Sequence, residues 1–297
     1  MVEGDGGRRS VGMRLRDLGL ILKNSVLRMK KHEGDALASE AAFNFAFSLF
    51  PLLLFVVTLI GIFSHDPAFV NTLLRFLADF VPEETLLLVH RFLLSLQEGN
   101  LGGQLSLSSV LILWPASRIF NAFIKATVRA YEAPGLRPGW KNRLLAVSLV
   151  LITGLFGTLA FLAMVLGPLF ADLMTRLGIN TFYSNLVEIL RFPLSVLLVT
   201  PMFAVIYRLG PDLKEHPANQ IWPGAFMATL LWITVSALFS AYVDVFADYQ
   251  ATYGALGGII VLLTWLWLTS VAVVFGAEFN AVFGKWLRLR DLEEKPA

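Results

Sequence analysis

Six long runs of apolar residues, separated by shorter polar segments, dominate the pattern of the chain. Each run is long enough to cross about 30 Å of hydrocarbon as a helix, which takes about 20 residues. The pattern therefore predicts an all-α, polytopic integral membrane protein. Its six predicted transmembrane helices are Ala41–Phe63, Leu105–Val128, Leu144–Phe170, Leu186–Tyr207, Ile221–Val243 and Ala255–Phe283.

Two segments outside these runs show the weaker periodicity of amphipathic helices. In the first, apolar residues recur every three or four positions, at Leu15, Leu18, Leu22, Val26 and Met29. It is either a basic helix lying on the anionic inner leaflet or a solvated helix packed on the cytoplasmic loops. The second, residues 67–98, is too polar to span a membrane but is rich in Leu and Phe. We expect it to form a pair of amphipathic helices on the outer face.

The composition supports a membrane protein. Hydrophobic residues make up 56% of the 297 residues and charged residues 15%, against about 45–50% and about 25% in soluble proteins. The chain has no Cys, so disulfides and thiolate zinc sites are excluded. Its N-terminus lacks the apolar core and small-residue cleavage site of a signal peptide. We expect a basic cytoplasmic tail at residues 1–35, a membrane domain at 36–284 and a cytoplasmic tail at 285–297.

The distribution of basic residues predicts the orientation. Nineteen Lys and Arg fall in the two tails and in the segments around residues 125–143 and 208–220, whereas only four fall in or beside the other loops. Cytoplasmic segments carry this excess of positive charge. The chain is therefore expected in the bacterial inner membrane, with both termini in the cytoplasm. An even number of spans agrees with that arrangement.

Polar side chains inside the predicted spans are the candidates for a functional site. A charge at this depth costs roughly 2.5–3.5 kcal/mol, so such residues are rare without a role. Because the first span runs outward and the second and sixth run inward, all of them lie in the cytoplasmic half. They are Glu40 and Asn44 in the first span, Arg118 and Asn121 in the second, and Glu278 and Asn280 in the sixth, with Lys125 near the end of the second.

Arg118 is the central candidate. Asn121 and Lys125 follow it by three and seven residues, so all three share one face of a helix. Either Arg118 pairs with a carboxylate, for which Glu40 and Glu278 are the candidates, or it faces a wet cavity and binds an anionic substrate. The Asn residues are also suited to hold helices together, at about 0.6 kcal/mol per contact.

Backbone irregularities add a second, weaker set of candidates. Proline inside a span frees a carbonyl group that can bind water, an ion or a polar head group. Small residues spaced by four allow two helices to approach closely. These helix-kink and packing candidates are Pro51, Pro115, Gly254, Gly258 and Gly276.

Signatures of soluble enzymes are missing from the sequence. It contains no GxxxxGK[ST], GxSxG or HExxH motif, and its four His are scattered over the polar segments. We therefore predict no enzyme, no catalytic or metal site and no cofactor. The basic cytoplasmic surface suits RNA and acidic lipid equally by charge. The expected partners are the lipid bilayer and anionic lipids at its cytoplasmic face, without nucleic acid.

Three stretches resemble one family when they are taken in order. They are AAFNFAFSLFPLLLF at 41–55, WPASRIFNAFIKATVRAYE at 114–132 with RPGWKNRLLA at 137–146, and YGALGGIIVLLTWLWLTSVAVVFGAEFNA at 253–281. The chain is similar in them to the YihY/BrkB family of bacterial inner-membrane proteins, historically named ribonuclease BN. Asn44 departs from the aromatic residues that the family usually has there.

The resemblance implies six spans with both ends in the cytoplasm, and a link to serum resistance and to transport of lipid or another envelope component. Our hypothesis is a transporter or flippase-like protein that receives an anionic lipid or other envelope component in a polar cavity on the cytoplasmic side. The alternative is an envelope scaffold that transports nothing. A ribonuclease would need catalytic residues that the sequence lacks.

Overall fold

A computed structural model of the chain describes residues 15–63, 101–176, 181–212, 221–245 and 255–293. These residues form helices joined by turns, so the predicted all-α class is confirmed for them. The seven described helices are α1 (Leu15–Lys31), α2 (Gly34–Phe63), α3 (Leu101–Ala130), α4 (Gly139–Arg176), α5 (Thr181–Leu209), α6 (Trp222–Val245) and α7 (Ala255–Glu293).

Each predicted span falls on one of the helices α2 to α7, and most of these helices are longer than the span predicted for them. Within the described residues, three segments are long and apolar enough to cross a membrane. They lie in α4, α6 and α7, at Gly139–Ala160, Trp222–Val243 and Gly257–Arg290. The total of six spans therefore stays a prediction. The predicted outer-face helices at residues 67–98 lie outside the described residues.

The core lies where α3 and α7 pack against their neighbours. Helix α3 packs against α2 and α4, and α7 packs against α6, α2 and α1. Many of the buried contact residues are small, including Ala38, Ala122, Ala126, Ala225 and Ala277. Small side chains allow helix backbones to approach closely, which is how helices associate in lipid. Larger buried side chains such as Phe203 and Tyr207 fill the space between them.

The outward faces of the bundle are apolar. Large hydrophobic side chains are exposed along α4 and α6, including Leu151, Leu155, Phe226, Leu230 and Leu238. An extended apolar surface is unfavourable in water, so it is typical of a contact with another protein or with a membrane. Lipid is the solvent that covers it in a membrane protein.

Helix α1 folds back against α7. The chain reverses at Glu33, which adopts a left-handed backbone conformation with φ of 56°, and at Gly34, where a Cβ atom would lie 2.6 Å from Met29 Cγ. Ile21 is buried against Phe279 and Val282 of α7. The predicted apolar stripe coincides with the buried face only in part, since its members Leu15 and Val26 are exposed.

Candidate functional site

One face of α3 carries a line of polar and aromatic residues that are not buried. All the remaining residues between Pro115 and Val128 are buried. The spacing of three or four residues between the unburied ones puts them on a single face. We call this face the α3 stripe, and it consists of Trp114, Arg118, Asn121, Lys125 and Arg129.

The stripe contacts both neighbouring helices. Lys125 Nζ forms an ion pair with Glu40 of α2, at 2.7 and 3.1 Å from its two carboxylate oxygens. Asn142 of α4 donates a hydrogen bond to Asn121 Oδ1 at 2.5 Å. The guanidinium of Arg143, also on α4, lies 4.2 Å from the ring centre of Trp114, which is a cation–π contact.

Arg118 lies on this stripe as an exposed side chain. Neither of its two predicted carboxylate partners contacts it, since Glu40 pairs with Lys125 and Glu278 pairs with residues of the α1 segment. Within the described part of the chain, Arg118 makes no ion pair or side-chain hydrogen bond. Both predicted carboxylate partners are therefore bonded to other side chains, and the role of Arg118 stays a prediction.

Pro115 lies one turn before Arg118. It is buried inside α3, which continues through it to Ala130. Proline has no N–H, so the carbonyl group of Leu111 loses its usual helical hydrogen bond. Pro51, the other predicted kink residue, lies within α2. Thus Arg118 follows a point of weakened backbone hydrogen bonding.

Glu278 is the buried centre of a second polar cluster. Its side chain accepts a bond from Arg28 Nε at 3.3 Å and lies 2.6 Å from His32 Nδ1. Arg28 also bonds Glu132 at 2.9 Å, and Lys285 bonds the other oxygen of Glu132 at 3.0 Å. We call these five residues the Glu278 network. It ties α1 and the turn after it to the end of α3 and to α7.

Glu132 forms the exposed edge of this network. Its pKa is lowered from 4.5 to about 2, first by the hydrogen bond from Lys285 and then by that from Arg28, because both favour the ionised carboxylate. The residue has a left-handed φ of 52°. Nearby, Arg129 binds Glu33 at 2.8 Å and the carbonyl oxygen of His32 at 3.0 Å. The turn between α1 and α2 is thereby fastened to α3.

Sequence reasoning missed the partners of Glu278. Arg28 and His32 lie in the polar N-terminal segment, about 250 residues away in sequence, so no local pattern joins them to the last helix. The available signal was their spacing of four residues, which puts a cation and a His on one helix face. A buried carboxylate requires such partners, because an unpaired charge inside a protein is costly.

Asn280 binds backbone groups at the start of α6. Its Nδ2 donates to the carbonyl oxygen of Ile221 at 2.8 Å, and its Oδ1 accepts from the backbone N–H of Gly224 at 2.6 Å. It therefore binds backbone groups at the start of α6 that have no helical partner. Asn44 is also used locally, since it donates to the carbonyl oxygen of Glu40 at 2.7 Å.

The predicted packing glycines differ among themselves. A Cβ atom at Gly276 would collide with the Tyr207 hydroxyl group, Ala228 Cβ and the carbonyl oxygen of Gly224, so α6 and α7 cross there in close contact. Gly258 has open space around its Cβ position. Gly254 lies outside the described residues. By their hydrogen bonds and ion pairs, the predicted polar residues therefore divide into the α3 stripe with Glu40, the Glu278 network and the Asn280 contact.

Several known proteins are similar in sequence to this chain. The YfkH protein of Bacillus subtilis strain 168, whose name describes it as ribonuclease-like, is 33% identical over 279 residues, covering 91% of this chain and 97% of YfkH. A UPF0761 membrane protein of Alteromonas mediterranea is 26% identical over 292 residues, covering 97% and 94%. The UPF0761 membrane protein YihY of Escherichia coli O1:K1 is 32% identical over 117 residues, or 39% of each chain.

No solved structure matches the chain. A family model described as virulence factor BrkB matches residues 25–296, which include all seven described helices except the start of α1 and every residue of both polar clusters. The resemblance predicted from the three sequence stretches is confirmed by this match. The chain belongs to the BrkB family of membrane proteins.

Proposed function

We propose that this chain is a six-span inner-membrane protein with cytoplasmic termini, and that it moves an anionic lipid or another anionic envelope component between the leaflets or across the membrane. The α3 stripe is the surface that receives the anionic head group. The observation that carries the proposal is Arg118, an exposed and permanently charged side chain without a carboxylate partner among the described residues.

The charge of Arg118 requires compensation at the depth where the sequence pattern puts it. Guanidinium always carries its charge and binds phosphate in a two-bond geometry. A lipid phosphate at this position would compensate the charge, for which the described residues supply no carboxylate. Arg118 is therefore suited to be the deepest contact of the head group.

The rest of the stripe supplies further contacts along one line. Lys125 lies about 10 Å from Arg118 along the helix axis, and Arg129 follows one turn later. Each is paired with an exposed or half-exposed carboxylate, Glu40 or Glu33, and such pairs are weak enough to exchange partners. A phosphate could pass from one cation to the next along the stripe.

The surface beside the stripe suits acyl chains. Phe43 and Phe47 of α2 are exposed and stack on each other with ring centres 6.3 Å apart. They follow Glu40 at helical spacing, so they lie on the same side of α2 as its ion pair with Lys125. The polar head group would move along α3 while its chains stay in the lipid beside α2.

The test uses proteoliposomes containing fluorescently labelled phosphatidylglycerol or phosphatidylcholine. Dithionite destroys the label in the outer leaflet, so the later loss of fluorescence measures movement between leaflets. The wild-type protein should accelerate movement of phosphatidylglycerol. Arg118→Ala should slow it about tenfold or more, which corresponds to one lost charged hydrogen bond, and Arg118→Lys should have an intermediate rate.

The matched control is Arg16→Ala, which removes an exposed cation of α1 far along the chain from the stripe and should leave the rate unchanged. An Arg118→Ala protein that is folded and moves phosphatidylglycerol at the wild-type rate would contradict the role of the stripe. Wild-type protein that moves neither lipid would contradict transport of lipid and favour the scaffold. We also propose that the chain does not cleave RNA, and purified protein incubated with RNA should leave it intact.

A further inference from the structure

A groove away from the α3 stripe lies between α1 and the last turns of α7, beside the Glu278 network, two of whose members, Arg28 and Lys285, line it. Its volume is about 430 Å³, which falls in the range of about 300–1,000 Å³ typical of ligand sites. Its walls are mostly apolar and include Leu20 and Leu27 of α1 and Trp286 and Leu289 of α7. Three of these side chains are at least half exposed, with Leu20 at 50%, Leu27 at 54% and Leu289 at 63%.

Basic side chains also line the groove. Lys31 and Lys285 both line the groove. Lys285 is paired with Glu132, whereas Lys31 makes no ion pair with any of the residues that the structure describes. The groove therefore combines an apolar surface with a positive charge that has no described partner. An amphiphile with a negative head group matches both properties.

The position of the groove along α7 favours a lipid as this amphiphile. The apolar part of α7 extends from Gly257 to Arg290, so the groove lies where the apolar segment ends among Lys and Arg residues. Trp286 stands there with Arg290 at 5.2 Å from its ring centre. Aromatic and basic residues mixed in this way are typical of the membrane–water interface.

We propose that the groove between α1 and α7 binds one anionic phospholipid, with an acyl chain against Leu27 and Leu289 and the phosphate at Lys31. This site is separate from the α3 stripe and does not depend on transport. Its bound lipid would cover exposed apolar residues of α1 and hold that helix at the inner membrane surface. The lipid is recognised by charge at Lys31 and by apolar contact along the groove.

The experiment exploits the absence of Cys from the chain. A Leu27→Cys variant is labelled with a bimane fluorophore and placed in nanodiscs that contain brominated phosphatidylglycerol or brominated phosphatidylcholine over the same series of increasing fractions. Bromine quenches the label on contact. Quenching should need about fivefold less phosphatidylglycerol than phosphatidylcholine, as expected for one basic residue at a membrane surface.

Two controls separate a site from general contact with lipid. Adding Lys31→Ala should remove the preference for phosphatidylglycerol, whereas adding Lys23→Ala, which removes another exposed cation of α1, should keep it. A bimane at Leu151→Cys, on the exposed apolar face of α4, should be quenched equally by the two lipids. Because Leu27 and Leu151 are both exposed, neither Cys substitution removes a core contact.

The outcomes distinguish this site from the α3 stripe. Equal quenching of the Leu27 label by both lipids would overturn the anionic site, and quenching by neither would show that a protein segment or second copy occupies the groove. Arg118→Ala should leave the quenching preference unchanged. A result in which Arg118→Ala abolishes transport while the Leu27 label shows no preference would overturn only the groove.

Discussion

The α3 stripe and the Glu278 network show two ways of keeping charge in a membrane protein. Glu278 is 1% exposed, and both of its oxygens have cationic or His partners. Arg118 is exposed and has no carboxylate partner among the described residues. A buried, fully paired charge holds elements together, whereas an exposed charge without a partner is available to a ligand. From this difference we expect a structural role for the Glu278 network and propose a functional role for the α3 stripe.

The largest expected effect comes from removing the buried carboxylate. Glu278→Gln should lower the free energy of unfolding by about 3 kcal/mol, because it removes the buried charge that Arg28 Nε and His32 contact, although Arg28 keeps its ion pair with Glu132. Arg118→Ala, at the exposed stripe, should change it by less than about 0.5 kcal/mol. Denaturant unfolding in detergent micelles measures both.

A reversal of this order would break the comparison. If Arg118→Ala unfolds the protein while Glu278→Gln is neutral, Arg118 is the structural charge.

The Glu278 network also affects the interpretation of deletion experiments. Removing residues 1–31 takes Arg28 away from Glu278, so loss of function after that deletion would report damage to the bundle as well as loss of the basic tail.

The second prediction tests whether close packing against α6 stabilises the buried side of α7 in addition to the ion pairs of Glu278. Gly276→Ala should destabilise the protein by about 1–3 kcal/mol, because the new methyl group would overlap Ala228 and the backbone of Gly224. The matched control is Gly258→Ala in the same helix, where the added atom meets open space. That change should be neutral or stabilising by up to about 1 kcal/mol.

Thermal unfolding of the two glycine variants in the same detergent gives the comparison directly. Equal losses would mean that the helix crossing at Gly276 relaxes easily. The other buried contacts of α7, such as the Glu278 network and the Asn280 hydrogen bonds, would then account for more of its stability.

The sequence allowed the helices and the shared face of Arg118, Asn121 and Lys125 to be predicted, because both follow from local periodicity. It did not allow the partners of Glu40 and Glu278 to be predicted. Glu40 is taken by Lys125 and Glu278 by Arg28 and His32, and these choices depend on how distant helices cross. The sequence predicted that six polar residues lie at a similar depth in the membrane. Which of them are in contact depends on the direction in which each side chain points.

The third prediction concerns the pair that lies between the two extremes. Lys125 and Glu40 are bonded at 2.7 Å, yet their side chains are 37% and 39% exposed. Exposed pairs contribute about 0–1 kcal/mol, so Lys125→Ala should lower the free energy of unfolding by less than about 1 kcal/mol. A double-mutant cycle with Glu40→Gln isolates the coupling between the two side chains. Coupling above about 3 kcal/mol would move the pair into the structural class of Glu278.

The smallest effect is expected from pH, at the exposed edge of the Glu278 network. The folded-state pKa of Glu132 is about 2 and its ordinary value is 4.5, so folding favours the ionised form. The resulting stabilisation is fully present above about pH 4.5 and is lost as the pH falls towards 2. Because Glu132 is largely exposed, solvent screening keeps the contribution small.

The stability difference between wild type and Glu132→Gln, measured by thermal unfolding at several pH values, should therefore shrink through that window. Lys285→Ala should reduce the pH dependence, since the bond from Lys285 is the largest cause of the lowered pKa. A difference that stays constant from pH 5 to pH 2 would contradict the ionised pairing. Glu278 would then be the one carboxylate of the network whose ionised form stabilises the position of α1, and the contrast with the charges of the α3 stripe would depend on it.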